Sequence, residues 1–336
     1  MSAELLLALA RCNIAAGAAV LAVLALRRPL RRWFGAERAY AAWLAVPLAA
    51  FGSLMPAQLA AGAAGPVEAT NNQVLAWLAG GGHGRALIVL WLGGALGGIA
   101  IDAWRHRRFA AAIRSGRAGP AAVGVIQPRL VTPADFAQRF SDDERRLVRA
   151  HEMAHIERLD ARYNAAAGLA TWVCWFNPLL HLGVRAMRLD QELACDATVL
   201  RRQPAARRLY AETLLRTHPA AAPVLGCQWR SPAHPLEARI GMLTAVPPSQ
   251  ARRDLGLAIL VAASVGAFGT AWAMQPPARE APTVILVDLM APNQADATLA
   301  VAVYRVVDES REPTAEARAS GAANTGTARS QSAKAL

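Results

Sequence analysis

Lysine is all but missing from this chain: Lys334 is the only one in 336 residues, and the residue three before it is Gln331. No S-x-x-K pair exists, which excludes a serine nucleophile of that type. Cysteine is nearly as scarce. Cys12, Cys174, Cys195 and Cys227 include no C-x-x-C pair, so neither a disulfide framework nor a thiolate zinc finger is indicated. Aromatic residues make up only 6% of a composition that is 54% hydrophobic, which leaves the apolar content to Ala, Leu and Val in long blocks. No internal repeat is present.

Those blocks are the first positive signal. About 20 helical residues cross a hydrocarbon core of roughly 30 Å, so uncharged blocks of this length read as membrane spans. Four are expected, at residues 5–26, 40–61, 86–104 and 255–274. The first carries Arg11, whose long side chain can snorkel to an interface. The second holds Pro47 and Pro56, which a helix in lipid tolerates where neighbouring groups satisfy the freed carbonyls. Glu4 before the first block and an arginine cluster after it mark a retained anchor rather than a cleaved signal peptide.

A formal net charge of +12 raises the question of nucleic acid, and the placement of arginine answers it. Arg27, Arg28, Arg31, Arg32 and Arg38 follow the first block; Arg105, Arg107, Arg108, Arg114 and Arg117 follow the third; Arg252 and Arg253 precede the fourth. Clusters flanking spans stay in the cytoplasm. The N-terminus, a loop near 62–85 and the C-terminal tail are then expected outside. Membrane lipid is an expected partner. No helix-turn-helix pattern with base-reading residues stands out, and direct nucleic-acid binding is not expected.

The expected order is a membrane region at 1–104 with three spans, a cytoplasmic domain at 105–254, a fourth span at 255–274 and a short outer tail at 275–336. The cytoplasmic part opens with AAVGVIQPRLVTP at 121–133, β-branched and broken by proline, which reads as one or two short strands with at least one at a sheet edge. Ser141 and Glu144 have the spacing of a capping box, and a helix is expected from there through Leu147, Val148 and His151 towards Asp160. A further apolar block near 165–182 is split at Asn177-Pro178, because the residue before proline leaves the helical region. A membrane-associated helical hairpin is expected there, with both ends on one face. In the tail, strand-like runs at 283–289 and 298–307 precede a stretch from Arg311 with the composition of disorder.

The chemistry lies in His151-Glu152-Met153-Ala154-His155, an H-E-x-x-H motif on the expected capped helix. Two histidines four residues apart share one helical face, so both imidazoles can reach one zinc ion, and Glu152 can point at a water on the open coordination position. A hydrolytic zinc needs a third protein ligand. Glu192 supplies a candidate, with Asp196 one turn later placed to accept the free ring N–H of a liganding histidine. Cys195, beside them, reads as a buried small side chain rather than a ligand. Asp160 reads as a weaker support for the site, and Tyr163 and His181 as candidate oxyanion donors. His83, His106, His218 and His234 have no partner at ligand spacing.

HEMAHIERLDARYN at 151–164, WFNPL at 175–179 and RAMRLDQELACD at 185–196 together resemble the BlaR/MecR family of membrane zinc peptidases. The likeness extends upstream to VIQPR at 125–129 and VTP at 131–133, and downstream to LEARIGML at 236–243. It implies a polytopic α-helical membrane protein with an inserted cytoplasmic α+β zinc metallopeptidase domain of gluzincin type, in the bacterial inner membrane. The ligands it implies are His151, His155 and Glu192 around one Zn2+ per chain, with Glu152 as base and acid and Asp196 behind the ligands. It also implies a signal-transducing endopeptidase that cuts itself or a cytoplasmic repressor, for which a winged-helix protein is the expected partner. A substrate strand is expected to align beside Val123, Val125 and Val131, and a second copy of the chain is retained as a candidate partner. The best-known members carry an outer penicillin-binding domain; the tail after Met274 is expected to be too short for one, and direct acylation by a β-lactam is not expected. Two rivals remain open: a quality-control membrane zinc protease of the heat-shock type, and a signalling scaffold with an idle site.

Overall fold

The computed structural model describes residues 2–55, 73–74, 76–78, 82–117, 119–216, 227–228 and 236–275. The described structure is mostly helical. Helix α1 (Ser2–Phe34) leads into α2 (Ala36–Ala41), a 3-10 turn at Ala42–Leu44 and α3 (Ala45–Gly52). Helix α4 (His83–Arg114) precedes strands β1 (Ala121–Val123) and β2 (Arg129–Val131). Then come α5 (Phe136–Arg139), α6 (Asp142–Glu157), α7 (Asp160–Val173), α8 (Pro178–Arg202) and α9 (Arg207–Arg216). Strand β3 (Cys227–Gln228), α10 (Leu236–Leu243) and α11 (Gln250–Ala273) complete the described elements.

Among the described residues, three helices are long and apolar enough to cross a membrane: those at Ala3–Phe34, His83–Arg114 and Gln250–Ala273. At 1.5 Å per residue, the 33-residue α1 is about 50 Å long, longer than the roughly 30 Å of hydrocarbon. Its arginine-rich end therefore stands clear of the apolar run. The second expected span, at 40–61, departs from its sequence reading. Its described part begins earlier, at Ala36, and is a helical rod with a 3-10 turn in the middle, reaching Gly52 before a turn at 53–55. The backbone stays right-handed helical across both junctions, and Pro47 falls in the first turn of α3, where its missing N–H has no intrahelical partner to lose. Residues 56–61, like the tail runs at 283–289 and 298–307, lie outside the described residues.

Among the described residues the β structure is one small antiparallel sheet of order β2-β1-β3. Ala121 pairs with Val131 on one side and with Gln228 on the other, so β1 is central and the open edges belong to β2 and β3. Gly124 turns the β1–β2 hairpin at φ 101, where a Cβ would lie 2.4 Å from the Gln127 carbonyl oxygen. The stretch expected as one aligning edge is thus a hairpin. Val123 ends β1, Val131 ends β2, and Val125 lies in the turn between them.

Two apolar cores flank the long helix α8. One gathers Val20 of α1, Trp43, Leu180 and Met187 of α8, and Leu260 of α11. The other holds Phe136, Phe140, Leu147, Val148, Val199, Tyr210 and Leu214. Helix α8 starts with Asn177 as its N-cap, its side chain accepting from the Leu179 N–H, and Pro178 at the first helical position. The same Asn177 donates to the Asn13 side chain of α1 at 3.1 Å. Trp175, in the turn before it, lies on α4 where Gly94 leaves room; a Cβ there would sit 2.1 Å from the indole.

Asp190 fastens α8 to the C-terminal part of α1 and to the 3-10 turn at Ala42–Leu44. Its fully buried carboxylate accepts from Arg27 of α1 and from the Trp43 indole, both at 2.9 Å, with Arg31 at 3.7 Å. Removing one partner of a buried pair typically costs about 3–5 kcal/mol, whereas exposed pairs are worth about 1 kcal/mol or less. Asp190→Ala is therefore expected to lower the unfolding temperature in detergent markedly. Glu212→Ala, which breaks the exposed pair with Arg208, is expected to leave it nearly unchanged; similar melting curves for the two variants would refute this role of Asp190.

Candidate metal centre

The geometry of the site begins with a helix start. Ser141 accepts from the Glu144 N–H while the Glu144 carboxylate accepts from the Ser141 N–H at 2.9 Å, a complete capping box that sets the first turn of α6. Leu147 and Val148 bury one stripe of α6 in the core, and His151, Glu152 and His155 are buried one to two turns on. The helix ends at Glu157 rather than reaching Asp160, because Leu159 adopts a left-handed conformation at φ 59. That conformation is unfavourable for a residue with a branched side chain. Its result is a chain reversal that lets Asp160, at the start of α7, reach back to His155.

Helix α8 brings the second half. Glu192 and Asp196, four residues apart, share its buried face. The Nε2 atoms of His151 and His155 lie 3.2 Å apart. Glu192 places Oε2 at 3.4 Å from the first and Oε1 at 3.7 Å from the second. One ligand atom from each of the three residues falls within 4.8 Å of the others, an arrangement that can hold a metal ion.

What stands behind the histidines decides what their Nε2 atoms can do. Asp160 lies 2.8 Å from His155 Nδ1 and accepts its proton in a hydrogen bond. Tyr210 donates to Asp196 at 2.6 Å and so presents its oxygen to His151 Nδ1 at 2.9 Å. In their neutral forms both rings thereby keep the hydrogen on Nδ1 and turn Nε2 into the cluster. Two lone pairs and a carboxylate then face one another in a buried space, which is repulsive unless a positive charge sits among them. The donor set, two imidazoles and one carboxylate, suits zinc with a position left open. Glu152 fits the same reading: its Oε2 accepts from the Ala122 N–H of β1 at 2.7 Å, while its buried Oε1 has no hydrogen-bond partner.

Arg239 of α10 supplies the site's permanent cation. It donates to both oxygens of Asp196, at 2.8 and 2.6 Å, and lies 3.3 Å from Glu192. Burial resists ionisation of these carboxylates, but Arg239 and His151 outweigh it, holding Glu192 down at about 2 and Asp196 well below its usual range. Burial also opposes a charged His151; hydrogen bonds to Asp196 and Glu192 overcome it and lift the ring to about 9. Glu152 is pushed up to about 8, chiefly by burial and further by the nearby Glu192 charge.

The remaining candidates fall elsewhere. Cys195 is buried behind His155, 3.2 Å from Nδ1 and 3.6 Å from Asp160, on the side away from Glu192's contact with Nε2. Exposed His181 bonds to the Trp175 carbonyl at the other end of α8, and Tyr163 packs edge-on to Tyr40. Neither joins the cluster. His218 and His234 lie outside the described residues. Three contributors went unassigned from the sequence: Tyr210, Arg239, and Tyr40, whose hydroxyl donates to the second oxygen of Asp160 at 3.0 Å. A tyrosine on the apolar stripe of α9 and an arginine followed by an apolar run in the LEARIGML segment were the available signals.

Arg239→Met would leave two buried carboxylates without their cation. An expected loss of about 3 kcal/mol or more is read by thermal unfolding, and added zinc is expected to restore part of it by supplying charge. A melt unchanged by the substitution would show that Arg239 does not neutralise the cluster.

Comparison with known proteins identifies relatives by sequence. A stretch of 82 residues, 24% of this chain, is 37% identical to "Regulatory protein BlaR1" of Bacillus licheniformis and 28% identical to "Methicillin resistance mecR1 protein" of Staphylococcus aureus and of Staphylococcus epidermidis. The match spans 14% of the length of each of these relatives. No solved structure matches. The model of the family described as BlaR1 peptidase M56 matches residues 7–77 and 101–243, well over half of the sequence and inclusive of α6, α8 and α10, and the chain belongs to that family.

Proposed function

We propose that the chain is a membrane zinc endopeptidase of regulatory role, with residues 105–254 forming a cytoplasmic catalytic region and residues 275–336 an outer tail. The observation that carries this reading is the convergence of two imidazole nitrogens and a carboxylate beside an unpartnered Glu152 oxygen. His151, His155 and Glu192 would hold the ion. Bound zinc lowers the pKa of a water to about 7 and polarises a carbonyl. A cation held beside it would favour ionised Glu152, whose Oε1 would then accept a proton from the attacking water and deliver it to the leaving amine, while Oε2 stays fixed on the Ala122 N–H. Asp160, Asp196 and Tyr210 keep the histidine rings in the required tautomer and orientation.

The sheet supports a peptide substrate. β1 touches the H-E-x-x-H helix through Glu152 and takes β3 of the same chain as an added antiparallel strand. A polypeptide laid along an open edge would gain main-chain hydrogen bonds in the same way. The proposed substrate is the chain itself or a cytoplasmic repressor, in keeping with relatives named for regulation and for methicillin resistance. Zinc released by a chelator is expected to take cleavage with it.

Two substitutions separate binding from chemistry. Glu152→Gln is expected to retain zinc by elemental analysis yet lose at least about 100-fold in cleavage, the typical worth of a general acid-base group. Glu192→Ala is expected to lose the metal itself. Wild-type cleavage by Glu152→Gln would sink the mechanism.

Metal binding is also expected to be proton-linked. In the metal-free protein at neutral pH, His151 at about 9 holds a proton on the atom the ion needs. Zinc must displace it, so affinity rises with pH by about tenfold per unit until the His151 value is passed, and binding releases about one proton. Calorimetry in two buffers of different ionisation enthalpy reads the release directly; an affinity that is flat between about pH 6 and about pH 8 contradicts the linkage.

A further inference from the structure

A cavity of about 500 Å³ opens where the end of α1, the start of α2, the C-terminal part of α8 and the segment leading into α11 meet. Arg28, Arg31, Arg32, Arg201, Arg207 and Arg253 line it, against two acids, Glu37 and Asp196. Both acids are already engaged. Glu37 pairs with Arg201 and accepts from Thr198, and Asp196 is bound by Arg239. Arg31 approaches Asp190 only to 3.7 Å, and its buried Nη1 makes no hydrogen bond. Arg28, Arg32 and Arg207 have no ion pair among the described residues. The surplus of positive charge therefore has no counterpart within the described chain.

The rest of the wall is apolar, with Leu200, Met242, Pro247 and Pro248. A small free anion would use the arginines and leave this surface wet, whereas an amphiphile would use both. Position narrows the occupant further. The cavity borders the ends of two helices long and apolar enough to span a membrane, α1 at Arg28 to Arg32 and α11 at Arg253. Basic pockets between helices at that depth hold lipid headgroups.

We infer that this cavity binds the phosphate headgroup of an anionic phospholipid from the leaflet that the ends of α1 and α11 border. The inference rests on the membrane reading of those helices, not on proteolysis. Its wall includes Asp196, the carboxylate behind His151, so a single side chain separates the headgroup pocket from the proposed metal ligands.

Native mass spectrometry of the full chain, offered equal amounts of phosphatidylglycerol and phosphatidylcholine, tests it. Selective retention of roughly one phosphatidylglycerol per chain is expected. Combined Arg28→Gln, Arg32→Gln and Arg207→Gln is expected to weaken retention on the order of 100-fold, from about 1 kcal/mol per arginine. Matched loss of charge at exposed Arg105, Arg107 and Arg108 of α4 is expected to leave it intact. Equal retention of the two lipids, or equal loss in the two triple variants, overturns the site. Inorganic phosphate alone forms the third arm: thermal stabilisation by phosphate matching that by phosphatidylglycerol overturns the lipid assignment in favour of a soluble anion. Zinc content checks that the pocket variant is folded. Lipid retention is read without any cleavage assay, so failure of the protease reading and failure of this one are distinct results.

Discussion

Three electron-rich atoms forced together in a dry space are the constraint on which the candidate metal centre depends. Left alone, His151 Nε2, His155 Nε2 and Glu192 would push apart, since each has its lone pairs turned inward and water is excluded. The surrounding structure prevents relaxation. Asp160 and the Tyr210–Asp196 pair hold the rings from behind, and Arg239 holds the carboxylates. Such an arrangement stores an affinity for positive charge, which a proton can satisfy weakly and a divalent ion strongly. The His151 value near 9 is the same affinity expressed toward protons.

Much of this was legible in the sequence because its geometry is local. A helix fixes the relation between residues four apart, so H-E-x-x-H and the pair Glu192 and Asp196 each define a face before any tertiary contact is known. The capping box at Ser141 and the break at Asn177-Pro178 are local in the same sense. What was not legible depends on contacts between segments far apart. Nothing near Tyr210 or Arg239 marks them as partners of residues 14 to 59 positions away in sequence. Leucine carries no signature of the left-handed turn at Leu159 that swings Asp160 into place. The hairpin at Gly124 splits the stretch expected to align a substrate into a central strand, β1, and an edge strand, β2, and the pairing of β1 with distant β3 was not legible locally.

Helix α8 explains why the candidate membrane helix α1 and the candidate metal centre are built together. Its N-terminal half packs with α1 and Trp43, and its C-terminal half carries Glu192 and Asp196. Between the two lies Asp190, whose burial would be unfavourable without Arg27, Arg31 and Trp43. A charged group at that point fixes the depth and rotation of α8 more sharply than apolar packing can, because greasy surfaces slide and ion pairs do not. The rotation matters: a turn of α8 by one residue, 100°, would carry Glu192 off the histidines.

Asp160 makes a second junction of the same kind, and its two oxygens face different parts of the chain. One accepts the His155 ring proton, and the other accepts the Tyr40 hydroxyl from the α2 helix that follows the first membrane helix. Tyr40 in turn receives a hydrogen bond from Gln191, the residue beside Glu192, and Arg158 lies over its ring at 4.5 Å. A displacement of α2 relative to α8 cannot be absorbed by Tyr40 alone, because its hydroxyl serves both the ligand on α6 and the helix that bears the third ligand. It must strain the Asp160–His155 bond or the Gln191 bond, and either change reorients a group beside the metal position. Asp160 is therefore the carboxylate through which a movement of α2 would first reach the residues of the candidate metal centre.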